Sequence, residues 1–232
     1  MDGHNSSSEI IRLSKVVKSY SGASVLHELD FSVGKGEFIT LIGRSGSGKT
    51  TLLKLINGLI DPDGGTILVF GEDIATVDHI RLRRRIGYVI QGIGLFPHLN
   101  VKNNIVFIPK ILKYDKDRQE AIALKLIQLV GMDRDTLSRY PSELSGGQQQ
   151  RIGVARALAA SPEILLMDEP FGSLDAITRA MLQDELLRIH AELGITIIFI
   201  THDIQEAEKL GTRVVVLENG VLKPQSSDLL SI

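Results

Sequence analysis

Phe38-Ile39-Thr40-Leu41-Ile42-Gly43-Arg44-Ser45-Gly46-Ser47-Gly48-Lys49-Thr50-Thr51 joins an apolar run to a glycine-rich turn and then to a helical pattern over 50–57. The run Phe38–Ile42 reads as a buried strand, and the apolar residues after the turn recur as in the first turns of a helix. A chain that leaves a strand, turns on glycines and starts a helix points several backbone N–H groups at one spot. That makes an anion nest. Lys49 adds a point charge for β and γ phosphates, and the Thr50 hydroxyl is placed to ligate Mg²⁺. The predicted phosphate cradle is therefore Gly43, Arg44, Ser45, Gly46, Ser47, Gly48, Lys49, Thr50 and Thr51. With glycine near ~7% of residues, the fixed positions of this pattern coincide by accident in under ~1% of chains this long. The implied ligand is a nucleoside triphosphate.

The rest of the composition bounds what such a chain can be. At 232 residues it is one large domain or two intimately packed ones, with 43% hydrophobic and 23% charged residues. A net charge of -2 gives no global pull toward nucleic acid or anionic membrane. The absence of cysteine excludes disulfides, thiolate chemistry and a cysteine-ligated zinc. Residues 1–8 are polar, so no secretion signal is expected. The apolar stretches 195–200 and 214–217 fall far short of the ~20 residues that span a bilayer. Any work at a membrane would leave the spanning to another chain.

Residues 25–33 alternate late in the run, Leu29, Phe31 and Val33 facing one way and Asp30 and Ser32 the other, as in a half-exposed strand. A further strand over 66–70 follows the turn-rich Asp61-Pro62-Asp63-Gly64-Gly65, and the two suggest a small antiparallel sheet. Residues 86–90, 164–167, 195–200 and 214–217 are short apolar runs separated by helical patterns, the signature of a parallel sheet covered on both faces. Between 92 and 161 no strand pattern occurs, and Ala121, Leu124, Ile127 or Gln128, and Val130 recur at helical spacing. The expected fold is α/β: a P-loop NTPase core with a mostly parallel sheet, an antiparallel β subdomain and an inserted helical subdomain at about 92–161. All of this makes one domain over 9–221, with 222–232 as a short tail.

Further chemistry sits at the ends of the predicted strands. Ile164-Leu165-Leu166-Met167-Asp168-Glu169 is an apolar strand ending in two carboxylates, where ligands of open parallel sheets gather. Asp168 suits Mg²⁺ through its water shell, and Glu169 suits orientation of the water that attacks a γ-phosphate. The plain alternative is a pair of acidic residues capping the next element. His202 follows the run 195–200 and is placed either to bond the γ-phosphate or to serve as an ordinary loop residue. Gln91 follows 86–90; its amide can ligate Mg²⁺ or a water, or be a polar strand end. Ser145-Gly146-Gly147 before the helical run 152–158 forms a second nest, which makes sense facing the nucleotide of another copy, or else as a capped glycine turn.

These motifs, in this order, resemble the ATP-binding subunits of ABC transporters, and the resemblance covers nearly all of 11–220. Gly43 to Thr50 matches that family's Walker A loop, 164–169 its Walker B strand with the catalytic glutamate, and 144–148 its signature sequence, bringing in Gln148. Gln91 matches the Q-loop, Ser173-Leu174-Asp175 the D-loop, His202 the switch histidine and Tyr20 the aromatic stacked on adenine. The resemblance implies an active ATPase using ATP and Mg²⁺ as a homodimer or pseudo-dimer closed head to tail over two nucleotides. It implies catalytic roles for Glu169, His202 and Gln91, and metal contacts from Thr50, Gln91 and Asp168. Implied partners are integral membrane permease subunits and, through them, a substrate-binding protein, at the cytoplasmic face of the bacterial inner membrane.

The wording of 88–98, 140–151 and 168–179 is similar to the importers of glycine betaine, choline and related osmoprotectants. Importers of polyamines, sulfonates and amino acids share much of it, and tail-less relatives also serve lipids. The sequence ends at Ile232 without the C-terminal regulatory domains of many osmoprotectant subunits, which puts gating by ionic strength or nucleotide in question. Soluble ABC ATPases of DNA repair or translation would carry the same motifs. Against them, Lys49 and Asp168 are separated by no heptad tract, and Arg81, Arg83, Arg84 and Arg85 read as a solvated or domain-facing run, so no nucleic acid is expected. A small-molecule kinase would leave Ser145 to Gly147 and His202 without a task. Leu95 and Phe96, just past Gln91, either fold back as core or fill a protein contact, and the resemblance favours contact with a membrane subunit.

Overall fold

The structure, a computed structural model, describes residues 9–92, 94–172 and 174–224. Ser173 and the part 225–232 of the expected tail lie outside the described residues. In chain order the elements are β1 (Glu9–Tyr20), β2 (Ala23–Gly34), β3 (Phe38–Ile42), α1 (Lys49–Ile56), β4 (Gly64–Val69), β5 (Glu72–Asp73), α2 (His79–Arg84) and β6 (Ile86–Val89). They continue with α3 (Val101–Ile105), α4 (Phe107–Ile111), α5 (Lys116–Leu129), α6 (Gly146–Leu158), β7 (Ile164–Asp168) and α7 (Ala176–Leu193). The last are β8 (Thr196–Ile200), α8 (Ile204–Leu210), β9 (Arg213–Glu218) and β10 (Val221–Pro224). Contacts divide the chain into two compact units, one running to Arg83 and resuming at Ile195, the other Arg84–Gly194.

The first unit contains an antiparallel sheet in the order β2-β1-β4-β5. β1 and β2 are joined by Ser21-Gly22, both at positive φ (50° and 83°), the two-residue turn whose twist matches that of a hairpin. The long strand β1 is absent from the sequence reading above, and its residues explain why. Ile10 and Ile11 are both buried, and the next buried positions are Leu13 and Val16, so no simple alternation survives. A register shift between Leu13 and Val16, with Lys15 at φ 50°, absorbs the extra residue as a bulge and returns Val16 to the core face.

The same unit holds β3 between β8 and β9, parallel to both, with β10 antiparallel to β9. Every residue of β3 and β8 is buried, as continuous apolar runs predict for strands covered on both faces. Phe38 and Phe199 pack across this pair with ring centroids 6.3 Å apart. Thr40, fully buried, satisfies its hydroxyl by donating to the Ala207 carbonyl of α8 at 3.0 Å. β10 occupies residues at the boundary where the sequence reading begins a tail. Its four residues pair with β9 from Val221↔Glu218 to Pro224↔Val215.

In the second unit β6 and β7 run parallel, Ile86↔Ile164 to Val89↔Met167, and Arg85 pairs with Glu163 at 2.7 Å beside their starts. α6 backs β6 closely: a Cβ on Gly87 would lie 2.6 Å from the Ala157 carbonyl oxygen, so only glycine permits that approach. No strand occurs among the described residues between β6 and β7. α5 begins on Asp115, whose carboxylate accepts the Arg118 N–H. Its buried face is Ala123, Leu126, Ile127 and Leu129, with Val130 just beyond; of the expected face Ile127 and Val130 are buried and Leu124 half-buried, whereas Ala121 and Gln128 are exposed. The carbonyls ending α5 meet two guanidinium groups: Arg151 of α6 donates to Val130 at 2.7 Å, and Arg188 of α7 donates to Leu129. Cations are favoured there by the helix dipole.

Candidate functional site

The glycine-rich loop is built where β3 stops and α1 begins. Gly46 and Gly48 sit at φ 79° and 103°, conformations that admit glycine without strain. Gly48 stands at the N-cap position of α1 with no side-chain cap, so the first-turn N–H groups carry no competing oxygen. Lys49, only 6% exposed, donates from Nζ to the carbonyls of Gly43 (2.7 Å) and Arg44 (2.9 Å), which holds its ammonium over the loop. Ser47 Oγ is buried without a hydrogen-bond partner, which leaves a hydroxyl in this glycine-rich loop open to a bound group or water. Thr50 and Thr51 follow in the first turn of α1.

A cavity of about 740 Å³ flanks this loop within the same unit, walled by Arg44 to Ser47, His202, and the turn from Leu217 to Gly220. Tyr20, Lys49 and Thr50 are not in its wall. His202 is exposed between β8 and α8, and Asp203 beside it caps α8 by accepting the Glu206 N–H. Tyr20 ends β1 with 45% of its surface exposed, and the Lys18 ammonium lies 5.7 Å from its ring centroid.

The second unit carries the remaining predicted residues. Asp168 ends β7 at 3% exposure, and Glu169 follows half-buried at φ 44°, a left-handed conformation that strains a residue with a Cβ. Gln91, exposed, donates its side-chain N–H to Glu169 Oε2 at 3.4 Å. Tyr88 of β6 is half-buried, and burial, helped by the Asp168 charge, pushes its hydroxyl up to about 12.

Ser145 caps α6 in a reciprocal box: its Oγ accepts the Gln148 N–H at 3.3 Å, and Gln148 Oε1 accepts the Ser145 N–H at 2.9 Å. The box closes the N–H groups of Ser145 and Gln148 but not those of Gly146 and Gly147. Gly147 also has a packing reason to be glycine, since a Cβ there would lie 2.4 Å from Thr178 Cγ2. Asp175 accepts the Thr178 N–H at the head of α7, and that bond, with the Thr178 hydroxyl, holds its carboxyl below the usual range.

The Phe96 ring packs on Phe107 with centroids 4.5 Å apart, the Arg156 guanidinium lies 5.5 Å from its centroid, and the side chain stays half-buried. Leu95 is half-buried. Of the arginine run, Arg83 donates to the Gly58 carbonyl and Arg85 pairs with Glu163. Asn104 and Arg156, which belong to no motif of the sequence, anchor the segment after Gln91. A charge among Val154, Ala155, Ala157 and Leu158 is the available signal for Arg156.

The sequence model of the ABC transporter family matches residues 26–172. Over 91% of its length the chain is 51% identical to the glycine betaine/carnitine/choline transport ATP-binding protein OpuCA of Bacillus subtilis, covering 56% of that protein. The glycine betaine uptake system ATP-binding protein YehX of Escherichia coli is 47% identical over 95% of this chain and 71% of its own length. The chain thus spans about half the length of the first curated relatives it matches. The solved dimer of the ATP-binding cassette MJ0796, in a post-hydrolysis state bound to ADP and Pi, superposes with a TM-score of 0.82 at 31% identity, over 94% of this chain and 99% of that one. With its family model matched over more than half the chain, and relatives this close, the protein belongs to the ABC transporter family.

Proposed function

We propose that this chain is the ATP-hydrolysing subunit of an ABC importer. The observation that carries the reading is the likeness over 91% of the chain to an ATP-binding protein of glycine betaine, carnitine and choline transport. At the phosphate loop, the preorganised Lys49 ammonium and the unpartnered Ser47 hydroxyl support a triphosphate there. In this reading Gly43 to Thr51 bind the phosphates and Tyr20 stacks on adenine. Glu169 orients and polarises the attacking water, while His202 and Gln91 bond the γ-phosphate and that water.

Thr50, Gln91 and Asp168 would hold Mg²⁺, Asp168 through water. No group of three or more histidine or carboxylate side chains suited to a metal occurs among the described residues. One hydroxyl, one amide and one carboxylate fit an ion held largely by phosphate oxygens and water. Bound Mg²⁺ supplies neutralisation of the β and γ phosphate charge.

Two copies, or this chain and a close relative, would close head to tail, with Ser145, Gly146, Gly147 and Gln148 of one completing the site of the other. A related cassette solved as a dimer bound to ADP and Pi supports the formation of a dimer. Among the described residues no helix is long and apolar enough to cross a membrane. In this reading the spanning is done by permease subunits. The chain would then work at the cytoplasmic face of the inner membrane, with a substrate-binding protein delivering glycine betaine, choline or another quaternary amine. The test is reconstitution of the chain with its membrane subunits in vesicles. ATP-dependent, Mg²⁺-dependent uptake of radiolabelled glycine betaine or choline is expected. A chain that binds no Mg-ATP, or that copurifies with nucleic acid and no membrane subunit, would overturn the assignment.

A further inference from the structure

Arg156 is half-buried near the end of α6, and burial lowers its affinity for its proton. Among the described residues its charge is met by no carboxylate. Nη1 donates to the Gly94 carbonyl at 2.7 Å, and the guanidinium stands 5.5 Å from the Phe96 ring centroid. A guanidinium partly withdrawn from water for one carbonyl and one ring face is a costly way to fill space. Its two partners are the third and fifth residues after Gln91.

The same segment is held from the other side by Asn104, which is fully buried in α3. Asn104 Oδ1 accepts the Phe96 N–H at 2.8 Å, and its Nδ2 faces the carbonyls of Phe96 (3.1 Å), Leu99 (2.9 Å) and Asn100 (3.1 Å). The residues from Gly94 to Asn100 are therefore fixed at both ends to helices. Gln91 lies three residues before the clamp and touches Glu169. At the opposite end of α6, about 16 Å away at 1.5 Å per residue, is the Ser145 cap.

We propose that Arg156 is a positioning residue that couples Gln91 to the first turn of α6. A shift of Gln91 on nucleotide binding pulls on Gly94 and Phe96, and through Arg156 on the helix that presents Ser145, Gly146 and Gly147. This rests on the ATPase reading above, and it gives that reading an internal linkage within one unit.

Hydrogen exchange of the purified full chain, with and without Mg-ATP, tests the linkage in wild type, Arg156→Gln and Arg156→Lys. In wild type, Mg-ATP should change protection at both 94–100 and 145–149. Arg156→Gln should raise exchange at 94–100 by about tenfold or more and abolish the nucleotide response at 145–149. Its Mg-ATP Kd should stay within about twofold, and kcat should fall about fivefold or more at unchanged KM. Arg156→Lys, which keeps a donor for Gly94, should restore much of the response. Three results would overturn the proposal: an unchanged nucleotide response at 145–149 in Arg156→Gln, loss of protection throughout 84–194, or no rescue by lysine. Failure of the wild-type chain to bind Mg-ATP would instead strike the ATPase reading itself.

Discussion

The Gln91 side chain donates to the Glu169 carboxylate at 3.4 Å, joining the residue after β6 to the residue after β7. A bond this long is weak and easily exchanged for one to water or phosphate. In the proposed reaction Glu169 must leave Gln91 to engage the attacking water, and its negative charge is what polarises that water. Glu169→Gln keeps the shape and can still hydrogen-bond Gln91, but removes the charge. ATP affinity within about threefold of wild type and turnover lower by ~10²-fold or more are expected, with a dimer persisting in ATP on size-exclusion chromatography. Turnover near the wild-type rate would remove Glu169 from the chemistry.

Lys49 offers a second test at the phosphate loop. Its ammonium bridges two loop carbonyls and is nearly inaccessible to water. Lys49→Ala loses the charge-assisted bonds to phosphate, about 1.5–3 kcal/mol of binding, or roughly 10- to 150-fold in Kd. Isothermal titration with Mg-ATP measures this directly. Unchanged affinity would place the triphosphate elsewhere.

The parts of this molecule legible in its sequence share one physical property: their signal is local. Phe38–Ile42 and Ile164–Asp168 are mostly apolar runs buried at every position, and the loop after β3 needs its glycines in fixed places. What escaped depends on distant partners. β1 hides behind a bulge that only pairing with β2 and β4 reveals, and β10 is four residues defined by β9. On α5 the choice between Ala121 and Ala123 for the core face is made by neighbouring helices, not by period. Arg156 and Asn104 looked like ordinary helix residues until their carbonyl partners, 62 and up to 8 positions away, came into view.

Tyr88 links pH to stability. Its hydroxyl titrates at about 12 in the folded chain, first because it is buried and then because Asp168 is negative nearby. The unfolded value is about 10, so the folded state favours the protonated form. The associated stability is complete below pH ~10 and disappears as the pH rises toward about 12. Discounted for partial exposure, it amounts to about 1–2 kcal/mol. Urea midpoints between pH 9 and 11.5 should therefore fall more steeply for wild type than for Tyr88→Phe. Parallel curves would mean that Tyr88 ionises freely.

Gly147 is held to glycine by packing, and in the proposed dimer by approach to the partner's nucleotide; stability separates the two. A Cβ there would stand 2.4 Å from Thr178 Cγ2, too close for any real pair of carbons, so Thr178 or the start of α6 would have to move. Overpacking of this kind costs about 1–3 kcal/mol, against which alanine's better helix propensity returns up to ~1 kcal/mol. Gly147→Ala alone should therefore be destabilised by a net ~0.5–2 kcal/mol. Thr178→Ser removes the offending methyl and keeps the hydroxyl and N–H that hold Asp175. In that background the sign should reverse, with Gly147→Ala neutral or stabilising by up to ~1 kcal/mol. If the double variant folds as well as wild type yet shows no ATP-driven dimer, the glycine is needed for close approach to the partner's nucleotide as well as for packing. If dimerisation returns along with stability, Thr178 alone accounts for the glycine.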